Sequence, residues 1–218
     1  MEKPRVETID RSNDGGCGDA RKIRLKKAKQ KQFKIPGRPI TMSKKSKYLS
    51  LCAACLLLLS GCVGIPKGLK PVSGFDANRY MGKWYEIARL DHRFERGLSH
   101  VSADYALAND GSVTVINKGY DAQEDQWKEI QGRALFVGSD TVGQLKVSFF
   151  GPFYGGYNVI ALDKEDYQYS LVCGPDRSYL WILARNPSLP ESVLKELMTS
   201  AKDMGFDTAQ LIFVEHDR

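Results

Sequence analysis

The sequence predicts an all-β fold: an eight-stranded antiparallel up-and-down β-barrel, with one C-terminal α-helix packed outside it and a short final strand. Three observations carry this. Short runs rich in β-branched and aromatic residues follow one another between residues 83 and 185, separated by clusters of Gly, Asn, Asp and Pro. Two-residue alternation is plain in Ser112-Val113-Thr114-Val115-Ile116 and in Lys146-Val147-Ser148-Phe149. A single helical pattern stands out, and it comes after the last of these runs. Short turns favour antiparallel pairing of neighbours. An open meander of eight strands leaves two long edges, whereas closure removes both and leaves an interior wide enough for one small ligand.

The front of the chain is of another kind. Residues 1–61 carry 15 Lys and Arg against 5 Asp and Glu, a net of +10; residues 62–218 carry 17 against 21, a net of −4. The pI near 9.0 therefore says little about the folded part, and no nucleic-acid function is expected. Residues 1–41 are polar and basic with no apolar periodicity, so no packed structure is expected there. Met42 opens a new pattern: Lys44, Lys45 and Lys47, then an apolar run from Tyr48 to Leu59, then Ser60 and Gly61 before Cys62. That is the layout of a secretory signal peptide, too short to span a bilayer. Met42 is read as the true start, residues 1–41 as a disordered or misassigned upstream extension, and residues 42–61 as the leader.

Residues 63–74 hold two Pro and three Gly and read as part of a short tether, 62–74, ahead of a barrel domain at 75–218. Residues 75–80 read as an aromatic-bearing turn. Gly82 beside Trp84 points to a positive φ or a close backbone approach where the first strand, 83–90, begins. Residues 91–99 read as a loop. Strands follow at 100–108, 112–120, 127–137 and 144–150, with Asn109-Asp110-Gly111 and Gly138-Ser139-Asp140 as turns. Gly151 to Gly156 reads as a further turn, and strands resume at 157–163, 167–174 and 179–185. The segments 157–162 and 179–183 are apolar on both faces, which suits strands covered from outside. Ser188 and Glu191 fit a capping box, Val193, Leu194, Leu197, Met198 and Ala201 recur at helical spacing, and Gly205 supplies a stop. A last strand is expected at 210–214.

Five cysteines are present: 17, 52, 55, 62 and 173. Cys17, Cys52 and Cys55 fall in segments read as removed, which leaves Cys62 and Cys173 in the mature chain; Cys173, in a strand-like run, reads as a buried, inert thiol. His92, His100 and His216 share no metal-ligand spacing, and no metal or cofactor is expected. No nucleophile elbow or phosphate loop is present, so the chain does not read as an enzyme.

The residues then resemble a known family, the lipocalins, and within it the lipid-anchored bacterial branch. Gly82-Lys83-Trp84 matches the Gly-x-Trp motif at the start of the first strand. The resemblance implies that Trp84 seals the closed end of the barrel and that Arg185, in Trp181-Ile-Leu-Ala-Arg185, packs across its ring. At the second motif only Asp163 of Ala161-Leu162-Asp163 matches; it reads as a turn-ordering residue. Leu59-Ser60-Gly61-Cys62 resembles the lipobox of bacterial lipoproteins. That implies acylation of Cys62 as the mature N-terminus, palmitate among the chains, and, with Val63 next, sorting to the periplasmic face of the outer membrane.

What remains as a site is the cavity. Alternation puts Tyr105, Val113, Val115, Val159 and Ala161 on one face, with Tyr169, Leu171, Trp181 and Leu183 as further wall candidates; a one-residue bulge inverts any of these. Arg89, Arg93 and Arg96 form a basic cluster at the mouth, suited to a phosphate or carboxylate head group. The expectation is a protein that stores or transports fatty acids or lysophospholipids without chemical turnover. Two other readings stay open: a structural or protein-interaction lipoprotein, and an envelope enzyme acting on lipids. A homodimer closing over a shared ligand is also open.

Overall fold

The computed structural model describes residues 63–217. Residues 1–62, with the leader and Cys62, lie outside the described residues. A short helix α1 (Ala77–Tyr80) leads into eight strands: β1 (Gly82–Arg89), β2 (Leu98–Leu107), β3 (Val113–Asp121), β4 (Gln126–Phe136), β5 (Gln144–Phe150), β6 (Phe153–Leu162), β7 (Tyr169–Cys173) and β8 (Leu180–Ala184). A helix α2 (Glu191–Asp203) and a two-residue strand β9 (Ile212–Phe213) follow. Each of β1 to β8 pairs antiparallel with its sequence neighbour, and β1 pairs with both β2 and β8, so the eight-stranded sheet closes. Pairing of β1 with β2 ends at Tyr85↔Ser102, and β9 bonds to Ala88 and Arg89 beyond that point, covering backbone that β2 leaves open.

Several boundaries differ from the sequence reading. Residues 75–80 are not a simple turn: the Asp76 carboxylate accepts from the backbone N–H groups of Asn78 and Arg79 and starts α1. The Gly151–Gly156 turn shrinks to its first two residues, because Phe153 to Gly156 already pair with β5. The capping box at Ser188 does not form. Pro190 takes the N-cap position with no side-chain bond, its fixed φ of −55° starting the helix where its missing N–H costs nothing. Residues 208–210 form a 3-10 turn, which leaves only Ile212 and Phe213 for the last strand. Gly205, at φ +86°, ends α2 as expected.

Two apolar layers result. Outside the barrel, Leu197 and Ala201 of α2, with Val193, Leu194 and Met198, pack on Ile87, Ala88, Leu90, Ile160, Leu171, Cys173, Leu180, Ile182 and Ala184. Each fully buried Leu or Ile there contributes about 1.5–3 kcal/mol. Cys173 sits in this layer, and burial raises its thiol pKa to about 12, which keeps it protonated and unreactive. The segment read as a tether is fastened to the wall: Ile65 and Leu69 join the outer layer, and Asn158 donates to the Gly64 carbonyl at 3.1 Å. Inside the barrel, a second layer runs from Trp84, Val159, Val172 and Leu183 to Val113, Val115, Ala134 and Leu145.

Candidate ligand site in the barrel interior

Trp84 and Arg185 close one end of the barrel, and the strand directions gather four loops at the other, the mouth end. β1 runs from Gly82 at the closed end to Arg89 at the open end, so residues 90–97, 122–125, 151–152 and 174–179 ring the mouth. At the base, Trp84 is 0% exposed, and its indole N–H donates to the Tyr80 carbonyl at 2.8 Å. The Arg185 guanidinium lies 4.0 Å from the Trp84 ring centroid and donates to the carbonyls of Lys83, Arg79 and Tyr167. Gly82 has φ +90°, and a Cβ there would meet that guanidinium at 3.4 Å. The short turn below is ordered by Asp163, whose carboxylate accepts from the N–H groups of Glu165, Asp166 and Gln168.

Above the indole lies a floor of hydroxyls. Tyr157 Oη is 2.8 Å from Tyr80 Oη and 3.1 Å from Tyr105 Oη, and Tyr80 Oη is 3.3 Å from Ser170 Oγ. Burial, ahead of any charge effect, raises the Tyr80 pKa to about 12 and pushes Tyr105 and Tyr157 further up, so all three stay neutral. Four hydroxyls joined by three contacts leave one O–H without a partner inside the set.

The walls separate the predicted residues into two groups. Tyr105, Val113, Val115, Val159, Trp181 and Leu183 belong to the interior layers. Ala161, Tyr169 and Leu171 pack with the outer layer under α2 instead. The cause is a bulge between Val159 and Ala161 in β6: Ile160 and Ala161 both face outward, and Leu171 and Tyr169 follow through their pairing. Sequence reasoning also missed Phe136, Val147, Phe149 and Tyr157, which pack against the interior layers yet remain only half-buried. Phe149 lies over Gly132, where a Cβ would come within 2.7 Å of its ring.

The three arginines also part. Arg89 is 2% exposed: a second bulge, between Glu86 and Ala88, returns it to the face that carries Trp84 and Glu86. Its Nη1 donates to Glu86 Oε1 at 2.7 Å and its Nη2 to the Glu95 carbonyl at 2.8 Å. Arg96 is engaged by the Asp91 carboxylate at 2.6 Å, and Arg93 stands exposed over the Phe94 ring. Only Arg93 and Arg96 therefore sit on the mouth.

Arg89 belongs to a buried cluster that the sequence reading did not find. Glu95 reaches from the β1–β2 loop to accept from the Trp181 indole N–H at 3.1 Å, and His92 Nε2 is 3.1 Å from the same carboxylate oxygen. Burial first, and then the Glu95 charge, push the Glu86 pKa well above the usual carboxylate range, with Arg89 opposing. Burial acts on Glu95 too, but bonds from His92, Glu86 and Trp181 outweigh it and hold its carboxyl below that range. The two shifts diverge, so Glu86 is the member of the pair that keeps its proton to higher pH. The available signal was parity, since Glu86 is two residues from Trp84 and so faces inward with it.

This proton has a measurable consequence. A raised native pKa means that the native state keeps a proton the unfolded chain has lost, so stability falls as pH climbs from the ordinary carboxylate range through the raised value. Glu95 acts in the opposite sense: its contribution is present above the ordinary range and lost as pH falls through its depressed value. Glu86→Gln, which mimics the protonated acid, is expected to abolish the alkaline decline and to be at least as stable as the parent at pH 8. Urea midpoints from pH 4 to 9 check this; an unchanged slope would place the proton elsewhere.

Comparison with known proteins agrees with this architecture. A lipocalin-like domain model matches residues 75–216. The chain is 53% identical to the outer membrane lipoprotein Blc of Vibrio cholerae over 161 residues, covering 74% of this chain and 94% of that protein. It is also 53% identical to Blc of Escherichia coli K12 over 163 residues, covering 75% and 92%. A plant relative, temperature-induced lipocalin-1 of Arabidopsis thaliana, is 35% identical over 153 residues, covering 66% and 81%. Among solved structures, insecticyanin of the tobacco hornworm Manduca sexta superposes with a TM-score of 0.58 at 20% identity, covering 71% and 88%, a likeness of fold alone.

Proposed function

The chain belongs to the lipocalin family, and from that premise we propose that it is a membrane-anchored carrier which takes up fatty acids or lysophospholipids in the bacterial cell envelope. The observation that carries the reading is the interior itself. Aromatic and aliphatic side chains line a barrel sealed below by Trp84 and Arg185, and several of them, Phe136, Val147, Phe149, Tyr157 and Trp181, stay half-buried although they pack inward. Such a wall binds an acyl chain by removing it from water. The one O–H donor that this floor does not use within itself can meet a polar atom at a chain end.

No bond is made or broken in this reading. The tyrosines stay protonated, Cys173 lies outside the lumen, and Glu86 and Glu95 are tied into a structural cluster with Arg89, His92 and Trp181. Acylation of Cys62 would hold the carrier on the periplasmic face of the outer membrane; the names of the Blc relatives, outer membrane lipoproteins, support the membrane. Native mass spectrometry of the protein purified from its own envelope tests both parts. The expected result is a bound mass of one fatty acid or lysophospholipid, released on denaturation, together with an N-terminal peptide beginning at acylated Cys62. An apo mass from gently solubilised envelopes overturns the carrier; an unmodified Cys62 overturns the anchor.

A further inference from the structure

The three most exposed of the large apolar side chains among the described residues lie where a soluble barrel would not place them. Phe94, Phe150 and Phe153 are 61%, 68% and 71% exposed, and all three sit on the open end. Phe150 and Phe153 face each other across the β5–β6 hairpin, whose tip, Phe150-Gly-Pro-Phe153, carries no charge. Phe94 is on the β1–β2 loop, four strands round the barrel, so the aromatics flank the mouth from opposite sides. Arg93 packs over Phe94 with its carbon 5.1 Å from the ring centroid, and Lys146 lies 5.0 Å from the Tyr154 ring just below the hairpin. A cation beside an exposed ring is the pairing that suits an interface between hydrocarbon and anionic head groups.

A second observation concerns the chain's path. The Gly64 carbonyl lies 2.6 Å from where a Cβ on Gly156 would stand, and Val63 is beside it. Gly156 is three residues from Phe153, roughly 10 Å along the strand, and six from Leu162 at the closed end, roughly 20 Å. Val63, the first of the described residues, therefore lies against the wall on the mouth side of the barrel.

From these two observations we infer that the open rim is a docking surface for a phospholipid bilayer, so that the lumen opens onto the membrane rather than onto water. The inference rests on the carrier reading and deepens it: a lipid tail passes from bilayer to lumen without crossing the aqueous phase. The β3–β4 hairpin, with Asp121, Glu124 and Asp125, limits the depth, so the rim rests in the head-group layer with only the phenylalanines below it.

The test uses nitroxide labels at Phe94→Cys, Phe153→Cys and, at the closed end, Asp140→Cys, each in the full chain purified from envelopes and reconstituted in phosphatidylethanolamine–phosphatidylglycerol vesicles. Cys173 is buried, and the parent chain labelled in parallel gives the background. The labels at 94 and 153 are expected to gain accessibility to oxygen and lose it to a water-soluble nickel chelate, while the label at 140 stays open to the chelate. All three positions are exposed, so the substitutions leave the core untouched. Three water-accessible labels, or an apolar signal at 140, overturn the inference. So does a dipolar coupling between labels at 153 that vanishes on dilution with unlabelled protein, which would assign the rim to a second copy. If the N-terminal peptide proves unacylated, the same contrast is read on vesicles added to the protein, so a missing anchor and a wet rim are separate results.

Discussion

Trp84→Ala is expected to lower the unfolding free energy by about 3–5 kcal/mol, the usual cost of emptying a sealed aromatic site. That is a large part of the 5–15 kcal/mol that a domain typically has. Three losses combine. The indole is 0% exposed and packs on Tyr80 at 4.7 Å between centroids, so the cavity left behind cannot fill with solvent. The Tyr80 carbonyl loses its donor. Arg185 loses the face over which it sits and keeps only its three carbonyl partners. The melting temperature is expected to fall by about 10 °C, at 2–4 °C per kcal/mol for a domain of this size. Arg185→Ala should cost less, about 1–2 kcal/mol, because its carbonyl contacts are partly replaced by water. Arg185→Lys should rescue little, since one ammonium cannot bridge three carbonyls from a fixed plane. Denaturant midpoints for the three variants check the order; a Trp84→Ala protein as stable as the parent would remove the indole from its role as base of the barrel.

The barrel was legible because its signals are local and repeated. Alternation in β3 and β5, turn residues between strands and one late amphipathic helix each point to the same architecture, and Gly82, Trp84 and Arg185 come together as their motif implies. What sequence did not show lies in the bulges. One extra residue in β6 turns Ala161 outward, and one in β1 turns Arg89 inward; neither is marked by a Gly or by any break in composition. Gly155 and Gly156 misled in the opposite way. They read as turn residues, yet Gly156 sits in a strand because the Gly64 backbone, 92 positions earlier, presses where a side chain would stand. The Glu86–Glu95 cluster was hidden because one partner belongs to a loop and folds back over the other, a contact that no periodicity records.

The second large effect concerns the ligand. Each CH₂ moved from water into an apolar wall is worth about 0.8 kcal/mol, close to a factor of four in affinity. Between ten and fourteen carbons the dissociation constant of a saturated fatty acid should therefore fall by about two orders of magnitude. The rise cannot continue indefinitely. The tyrosine floor and the indole beneath it close the lumen, and a tail that has reached Tyr157 gains nothing from further length. A plateau is the signature of a blind tube; binding to an open surface or to micelles lacks it. Trp181, packed in the interior layer and bonded to Glu95, is the natural reporter, with Trp127→Phe removing the exposed indole. Val147→Phe, placed where an inward side chain is only half-buried, should bring the plateau to shorter chains while leaving the slope below it unchanged. A flat series, or a plateau that Val147→Phe does not move, would mean that the acyl chain is not held inside the barrel.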